Sequence, residues 1–406
     1  MGEIDQRRRT LFLLGAAALL PQFSPYAHAR RPDQGNDSQV NLADHGGVPG
    51  ADPETIIDAF HQAFAQLKRR GGGTLHVSAG VYDLGKRGNG TAVTAADLSN
   101  VAISAYGAKL TMTTEGTGTV TPVFFRFINP DNITISGMAF TDSGTDLTVN
   151  WFGAICFVVE STRPCRGFRT VDCLAENVVR LLMASQPEKD RYTFEGFDLH
   201  ATIRNAYYGA GCVFNGANSR ADLTVHNVRR AFIGYGMRNW ELNIKASADG
   251  VAPGSNALVE LAADHRGHAE SIKVNLAVSG NLKNYGGLVT FYLQGPPTTT
   301  TFIRNVKANV TLNNVSAKAG AVFLFPYEAP GAGGYADTTA STWEEIRLSG
   351  KVIGSYSGTM IKNPSVSTGK TNSIYVDRDL VGYMKMAMLP DYFRRMLPRT
   401  GDVPDR

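Results

Sequence analysis

The stretch that decides the fold is residues 70–84, RGGGTLHVSAGVYDL. Its three glycines follow a helical pattern, and glycine ends a helix by adopting the left-handed conformation. Apolar and polar residues then alternate over TLHV, as in a short half-buried strand. Upstream, Asp52 stands where an N-cap is expected and Pro53 occupies the first helical position. The pattern predicts a helix over residues 53–70 that leads directly into a strand.

Downstream of that strand, a unit of two strands recurs at intervals of 20 to 34 residues, within the range of stacked repeats. The first strands of the units alternate apolar and polar residues. The third residues of the second strands are all apolar and are predicted to point into the core: Ile155, Val179, Val213, Ile233, Val259, Val289 and Phe323. We therefore predict a solenoid whose coils stack about 4.8 Å apart with parallel strand pairing.

The composition agrees with an all-β solenoid. Of the 406 residues, 43 are glycine and only 19% are charged. The apolar fraction of 43% argues against disorder, and the glycines lack the three-residue period of collagen. Because each coil needs sharp corners, glycine is predicted to occupy strand starts and corners with positive φ. The examples are Gly153, Gly211, Gly287 and Gly320.

Residues 40–50, VNLADHGGVPG, together with the predicted helix and residues 70–84, resemble the opening segment of the pectate-lyase-like superfamily. In that superfamily a helix caps a right-handed parallel β-helix, and a G-G-G-T stretch forms the first strand and turn. The sequence departs from the family's D-G-x-x-D-D-T, because residues 51–55 read ADPET. The superfamily contains pectate lyases, polygalacturonases, epimerases and phage tailspikes. The resemblance implies an all-β, right-handed parallel β-helix with an N-terminal capping helix and a polysaccharide or oligosaccharide partner, and it leaves the reaction open.

The two ends of the chain have patterns of their own. Residues 1–29 contain three consecutive arginines, Arg7, Arg8 and Arg9, followed by a ten-residue apolar stretch and an A-x-A site. With Arg8 and Arg9 as the pair, this is typical of a twin-arginine-like signal peptide; an ordinary secretory signal is the alternative. We therefore expect a periplasmic or secreted protein. Residues 30–378 are predicted to form the β-helix domain and residues 379–406 a helical cap over the last coil.

Charge and length limit the partners of the chain. The formal net charge of +4 is too small to favour nucleic acid or anionic lipid. The apolar stretch near the N-terminus is too short for a membrane-spanning helix, which needs about 20 residues. A homotrimer, as in tailspikes, stays open.

One set of candidate site residues follows the second strands. Their eighth residues are mostly polar and are predicted to lie above one another, so Asp264 and Glu328 would stand about 9.6 Å apart on two coils. Inverting glycosidases place their two carboxyl groups roughly 6.5–9.5 Å apart. This pattern predicts a glycoside hydrolase with Asp264, Glu328 and Glu260 as catalytic acids, and with Arg238, Gln294, Tyr292, Arg180 and Glu160 as sugar-binding residues. The alternative is a row of solvated strand ends.

A second set lies on the first strands, where Asp198, His200 and Arg204 alternate with apolar residues and Tyr207 follows. Residues 197–200, FDLH, resemble the F-D-P-H motif of alginate epimerases, with leucine in place of proline. The resemblance implies a lyase or C5-epimerase in which Arg204 neutralises a uronate carboxylate, His200 or Tyr207 removes the C5 proton and Asp198 orients the histidine. The alternative is a polar ladder in which His200 stacks over Thr224, Asn243, Asn275 and Asn309.

Three function classes therefore remain open. The first is a polysaccharide-active enzyme, with a hydrolase ahead of a lyase or epimerase. The second is a non-catalytic glycan-binding β-helix that accompanies exopolysaccharide export, and the third is a structural solenoid. Nucleotide-binding, zinc-protease and serine-hydrolase motifs are missing, so we expect neither cofactor nor metal.

The four cysteines bear on the redox compartment. Cys165 and Cys173 are the nearest pair for a disulfide in an oxidising compartment. Cys156 and Cys212 lie in apolar runs and are expected to be buried thiols.

Overall fold

The computed structural model describes residues 39–149, 151–185, 194–214, 216–250, 254–255, 257–263, 267–293, 301–325, 342–362 and 374–381. The predicted signal segment and most of the predicted C-terminal cap lie outside these residues. The chain from Gln39 onward forms one compact unit.

Helix α1 (Pro53–Arg70) is the predicted capping helix, with both ends where the sequence places them. The Asp52 side chain accepts a hydrogen bond from the backbone N–H of Thr55 at 3.0 Å, which satisfies one of the free donors of the first turn. Gly71 ends the helix at φ +74°. The apolar face of α1 packs on the first coils, where the rings of Phe60 and Phe125 meet edge to face with centroids 5.2 Å apart. A short 3₁₀ turn, Leu42–His45, precedes α1.

Twenty-two strands are defined within the described residues. Strands β1–β8 are Gln39–Asn41, Gly73–His76, Gly80–Arg87, Gly90–Ala96, Ser99–Ser104, Ala108–Thr114, Pro122–Ile128 and Asp131–Ser136. Strands β9–β15 are Ala139–Asp142, Ile155–Glu160, Cys165–Ser185, Phe194–Phe214, Gly216–Tyr235, Arg238–Asp249 and Val259–Ala263. Strands β16–β22 are Ala269–Asn281, Val289–Leu293, Phe302–Ala317, Phe323–Leu324, Thr342–Ile353, Ile361–Lys362 and Ile374–Val376.

The strands pair in parallel, each with the strand one coil away, which makes three faces of a right-handed parallel β-helix. The first face contains β1, β2, β5 and β8, and the second contains β3, β6 and β9. The third face contains β4, β7, β10, β15, β17, β19 and β21. Strands β11, β12 and β13 are long enough to bend over all three faces. This arrangement confirms the predicted fold class.

The core is a continuous apolar column inside the coils. The alternation predicted for the first strands is confirmed, because Leu199, Ala221, Leu242 and Val274 follow one another in register and are all buried. Aromatic rings continue the column through five coils, with neighbouring centroids 5.9 to 6.3 Å apart: Phe125, Phe157, Phe168, Phe197 and Trp240. Each buried ring contributes about 1.5–3 kcal/mol by removal from water.

The column of third residues is only partly as predicted. Val259, Val289 and Phe323 are in register and lie in the main core. Ile155 and Val179 instead join an outer apolar cluster with Tyr207 and Tyr208, so their placement in the core was wrong. The physical reason is register: Ile155 lies opposite Arg180 in the strand pairing, and a shift of one residue moves a side chain to the other face of a strand. The side chain of Val213 lies outside the described residues, and Ile233 is buried apart from the main core.

Asparagine shares the tight corners with glycine and forms two columns of its own. A column of residues with positive φ precedes the first face; it includes Asn100, Asn132, Asn218, Asn239 and Asn305. Gly167 and Gly196 continue the same column. A second column, formed by Asn177, Asn205 and Asn227, turns the chain from the second to the third face. Asparagine tolerates the left-handed conformation because its short polar side chain forms hydrogen bonds locally.

The glycines named from the sequence serve a different purpose. Only Gly153 has a positive φ, at +142°. Gly211, Gly287 and Gly320 do not, so the prediction that glycine at these positions relieves φ was wrong. They permit close approach instead: a Cβ at Gly320 would stand 2.6 Å from the carbonyl oxygen of Gly286 on the preceding coil.

The cysteines and the end of the described chain complete the fold. Cys156, Cys165 and Cys173 are buried free thiols, so Cys165 and Cys173 are not joined. The side chain of Cys212 lies outside the described residues. A short helix α2 (Arg378–Val381) places Leu380 against the last first-face strands. In the part of the chain that the structure describes, no helix has the length and apolarity to cross a bilayer.

Candidate functional site

Two of the predicted site residues, Asp198 and His200, meet Asp222 in a groove on the outside of the first and second faces. Asp198 and His200 project from β12, and Asp222 lies opposite His200 on β13. The Nε2 atom of His200 is 2.7 Å from Oδ1 of Asp198, and its Nδ1 atom is 3.2 Å from Oδ2 of Asp222. Both ring nitrogens of one histidine therefore face carboxylates from adjacent coils.

Arginines flank this Asp–His–Asp arrangement on both sides. Arg169 approaches Oδ2 of Asp198 at 3.0 Å, and Arg220 approaches Oδ2 of Asp222 at 2.8 Å. The hydrogen bond and the negative charge of Asp222 raise the pKa of Arg220. Asn243 donates to Oδ1 of Asp222 at 2.7 Å from the next coil. These contacts fix the rotamers of both carboxylates, so the histidine is held from two sides.

Two adjoining cavities extend from His200 along the axis of the β-helix. One of about 430 Å³ is lined by residues that include Asp172, His200, Thr202 and Arg204. The other, of about 380 Å³, is lined by residues that include Asn243, Lys245, Asn275 and Asn309. Asp222 and Thr224 line both, so the two cavities adjoin on one side of the β-helix, and we call them together the histidine groove. Two columns of side chains line it beyond Asp222: the amides of Asn243, Asn275 and Asn309, and beside them Thr224, Lys245, Ala277 and Thr311.

The structure corrects the details of this cluster. The strand pairing places Asp222, rather than Thr224, between His200 and Asn243 in the stack. The expected ladder put Thr224 where Asp222 lies, an error of two residues in the register between coils, so the contact of His200 with this second carboxylate was not predicted. Tyr207 lies outside the groove; its ring contacts Trp151 and Tyr208 on the third face.

Most of the acidic column predicted for a hydrolase falls outside the part of the chain that the structure describes. Asp264, Gln294 and Glu328 lie outside the described residues. Arg238 begins β14 and pairs with Ala217 and Glu270 on the first face, so its place beside third-face residues was wrong.

The remaining predicted residues of this set lie on the third face. Glu160 ends β10 opposite Ser185 and approaches Arg126 at 3.8 Å. Tyr292 lies half-buried on β17 opposite Ala262.

A second group of charged residues is assembled on the third face, which we call the arginine–aromatic cluster. It consists of Trp151, Arg180, Tyr207, Tyr208, Arg229, Arg230 and Glu260. The guanidinium carbon of Arg180 lies 4.5 Å from the ring centroid of Trp151 and 4.3 Å from that of Tyr208. Arg229 lies over Tyr207 at 4.2 Å. Arg230 approaches Oε2 of Glu260 at 3.5 Å.

Burial sets the electrostatics of this cluster. It raises the pKa of Glu260, and the positive charge of Arg230 opposes that rise by a smaller amount. Two of the predicted sugar-site residues, Arg180 and Glu260, thus belong to one face, and sequence reasoning missed the arginine pair at 229–230. Among the described residues, no group of three or more histidine, cysteine and acidic side chains is arranged to hold a metal ion.

No protein-family model matches the chain, and no curated protein matches its sequence. Its structure is similar to the A-module of a mannuronan C-5 epimerase from Azotobacter vinelandii, with a TM-score of 0.42 and 11% identity, covering 83% of this chain and 99% of that one. It is also similar to an endo-xylogalacturonan hydrolase from Aspergillus tubingensis, with a TM-score of 0.39 and 10% identity over 83% and 95% of the two chains. A hyperthermoactive exopolygalacturonase from Thermotoga maritima gives a TM-score of 0.35 and 13% identity over 85% and 92%. At these identities the similarity concerns the fold alone.

Proposed function

We propose that this protein is an exported enzyme that acts on a uronate-containing polysaccharide in the histidine groove, by proton transfer at C5 of the sugar. The observation that carries the proposal is His200, held between Asp198 and Asp222 within a groove that spans several coils. Histidine is the side chain whose charge changes most readily near neutral pH, which suits a proton carrier.

The geometry supports a role for each groove residue. Asp198 holds Nε2 at 2.7 Å and fixes the ring, whereas the contact of Nδ1 with Asp222 is longer, at 3.2 Å. We therefore assign Nδ1 as the nitrogen that exchanges its carboxylate partner for the substrate. Arg204 and Lys245 line the groove on either side of Thr224, so either cation can pair with the uronate carboxylate and make the C5 proton more acidic.

The same C5 proton transfer serves two reactions. If the 4-oxygen leaves after proton removal, the product is an unsaturated uronate, as in a lyase. If a proton returns on the opposite face of the ring, the product is the C5 epimer. A hydrolase would need a carboxyl pair and a water instead, and Asp264 and Glu328, on which that hypothesis rests, lie outside the described residues.

The experiment is incubation of the purified protein with alginate, polygalacturonate and a neutral polymer of similar length. New absorbance from an unsaturated sugar identifies a lyase. Deuterium uptake at C5 from heavy water without chain cleavage identifies an epimerase. New reducing ends without absorbance or deuterium uptake would contradict proton transfer at C5 and indicate a hydrolase, and unchanged polymer would contradict catalysis.

The variant His200→Asn tests the assigned residue. It should lower kcat by about 10²- to 10⁴-fold with little change in KM, because it removes the proton carrier and keeps a polar side chain. His226→Asn is the matched control: His226 is also half-buried, forms a hydrogen bond with Ser247 at 2.9 Å and does not line the groove. Activity of His200→Asn equal to that of the control would contradict the assignment.

Export is a separate part of the proposal. It is supported by the arginine pair and the apolar stretch within residues 1–29. N-terminal sequencing of the protein from the native host tests it, and a chain that still begins at Met1 would contradict removal of a signal peptide.

A further inference from the structure

The arginine–aromatic cluster lies on the third face, away from the histidine groove. Its central residue, Arg180, projects from β11 and has no exposed surface, although a guanidinium group carries a charge at every pH the fold survives. Its Nε and Nη1 atoms are buried without a hydrogen-bond partner within the described chain. The flanking rings of Trp151 and Tyr208 stabilise the cation through their faces, but they do not supply acceptors for its N–H groups.

The cluster also carries more positive than negative charge. Three guanidinium groups, those of Arg180, Arg229 and Arg230, stand beside one carboxyl group, that of Glu260. The Nε atoms of Arg229 and Arg230 are likewise buried without a partner in the part of the chain that the structure describes. Guanidinium atoms that are buried without an acceptor destabilise a fold, and among the described residues this cluster lacks acceptors that a bound anion would supply.

Local backbone and packing features fix the position of the Arg180 guanidinium. A Cβ at Gly211 would lie 2.7 Å from a methyl group of Ile233 and 3.4 Å from Cζ of Arg180, so only glycine fits beneath the guanidinium. Trp151 has a φ of +58°, which is unfavourable for a bulky residue and places its ring against Arg180. Strained residues of this kind cluster at ligand sites.

We propose that the arginine–aromatic cluster is a second saccharide-binding site, which takes the carboxylate of an acidic sugar between the guanidinium groups and holds the sugar ring against Trp151 and Tyr207. Arginine matches a carboxylate because its N–H groups form a planar fork. Aromatic rings with one polar edge suit a sugar, which has an apolar face and hydroxyl edges. The choice of a uronate as the sugar rests on the proposed function; the anion site itself does not.

The test is titration calorimetry, with tryptophan fluorescence as a second readout, using methyl glucuronide, methyl glucoside and inorganic sulfate. Methyl glucuronide should bind, and methyl glucoside should bind at least about tenfold more weakly. Arg180→Met should weaken the binding of methyl glucuronide by about tenfold or more, because hydrogen bonds to the charged group are lost. Arg304→Met is the matched control, since Arg304 also lies over a ring, that of Phe302 at 4.5 Å, but on the first face.

Further variants keep the result interpretable. If Arg180→Met does not fold, Arg229→Met tests the same site, because Arg229 is only half-buried. His200→Asn should bind methyl glucuronide like the wild type at this site even where it abolishes turnover, so failure of the catalytic proposal does not remove this one. Equal affinity of Arg180→Met and wild type would overturn the proposal, and binding of sulfate without methyl glucuronide would overturn its assignment to a sugar.

Discussion

At the scale of single residues, burial acts on acids and bases of the third face in opposite senses. Glu260 is 6% exposed, and its pKa lies above the ordinary 4.5 because burial disfavours the carboxylate more than Arg230 favours it. The pKa of Arg229 is lowered by burial and by the charge of Arg230. Burial of these charged groups therefore lowers the free energy of unfolding, and ionisable groups with shifted pKa values are common at ligand sites.

Glu260→Gln is expected to raise the stability of the ligand-free protein near neutral pH. Because the folded pKa exceeds the unfolded one, the folded state holds the proton more tightly, and the stability of the wild type falls as pH rises from about 4.5 to the folded pKa. Thermal midpoints of variant and wild type should coincide below pH 4 and separate above it, with the variant higher. Glu241→Gln is the control, because Glu241 is only half-buried and pairs with Lys273 at 3.0 Å. A Glu260→Gln variant less stable than wild type at pH 7 would contradict this account.

The buried thiols are expected to resist alkylation in the native protein. Burial raises the pKa of Cys173 to about 12 and that of Cys156 well above its ordinary value, and only the thiolate is a strong nucleophile. Peptide mapping by mass spectrometry after iodoacetamide treatment at pH 8 should find both unmodified until the protein is unfolded. Rapid native labelling of Cys156, or a disulfide-linked peptide joining Cys165 and Cys173, would be the opposing result.

At the scale of elements, hydrogen bonds between side chains at the corners join neighbouring coils, in addition to the strand pairing. Asn239 has a φ of +55° and donates from its side chain to Oδ1 of Asn218 at 2.8 Å, so it supports both its own turn and the coil before it. The same pairing joins Asn132 to Asn100 at 2.8 Å. These side-chain bonds fix the stacking of corners that the strand ladders alone do not reach.

Asn239→Ala should destabilise the fold by about 1–2 kcal/mol, because alanine is strained at a positive φ. Loss of the hydrogen bond to Asn218 should add about 1 kcal/mol. Asn239→Gly should destabilise the fold less than Asn239→Ala does, because glycine adopts a positive φ without strain. Asn275→Ala is the control: Asn275 donates to Asn243 at 2.7 Å without a positive φ, so only the hydrogen bond is removed. Urea unfolding would rank the three, and equal losses for Asn239→Ala and Asn239→Gly would show that φ does not matter there.

At the scale of the whole molecule, stacking converts a short pattern into a long binding surface. The histidine groove runs from Asp172 on β11 to Asn309 on β18, which are separated by five strand spacings, or roughly 24 Å. The groove therefore has room for several sugar residues, whereas a single coil presents only one or two polar side chains.

Affinity for oligouronates should accordingly rise with chain length until the groove is filled and then level off. Calorimetry with size-fractionated oligomers, carried out on His200→Asn to prevent turnover, measures this dependence. Lys245→Ala should weaken the binding of long oligomers more than that of short oligomers bound near His200. The reason is that Lys245 lines only the cavity farther from His200. An affinity that is independent of length would contradict binding along the groove.

Some residues of the candidate site could be predicted from the sequence, and others could not. The D-x-H pair at 198–200 and Arg204 were found because alternation within a strand is a local property. Asp222 was misplaced by two residues and Ile155 was assigned to the wrong face, because both depend on register between coils. The turn that separates Tyr207 from the groove is set by Asn205 at φ +48°, whose conformation is not encoded by its residue type alone.

The sequence by itself determined the architecture: a capped helix over Pro53–Arg70, a solenoid of parallel strands and an apolar column through its coils. These follow from capping and periodicity, which act over a few residues. The tertiary structure alone decided that Asp222 meets His200, and that Arg180 lies between Trp151 and Tyr208. The physical reason is that such contacts join residues more than twenty positions apart, whose alignment depends on the length and bend of every intervening corner.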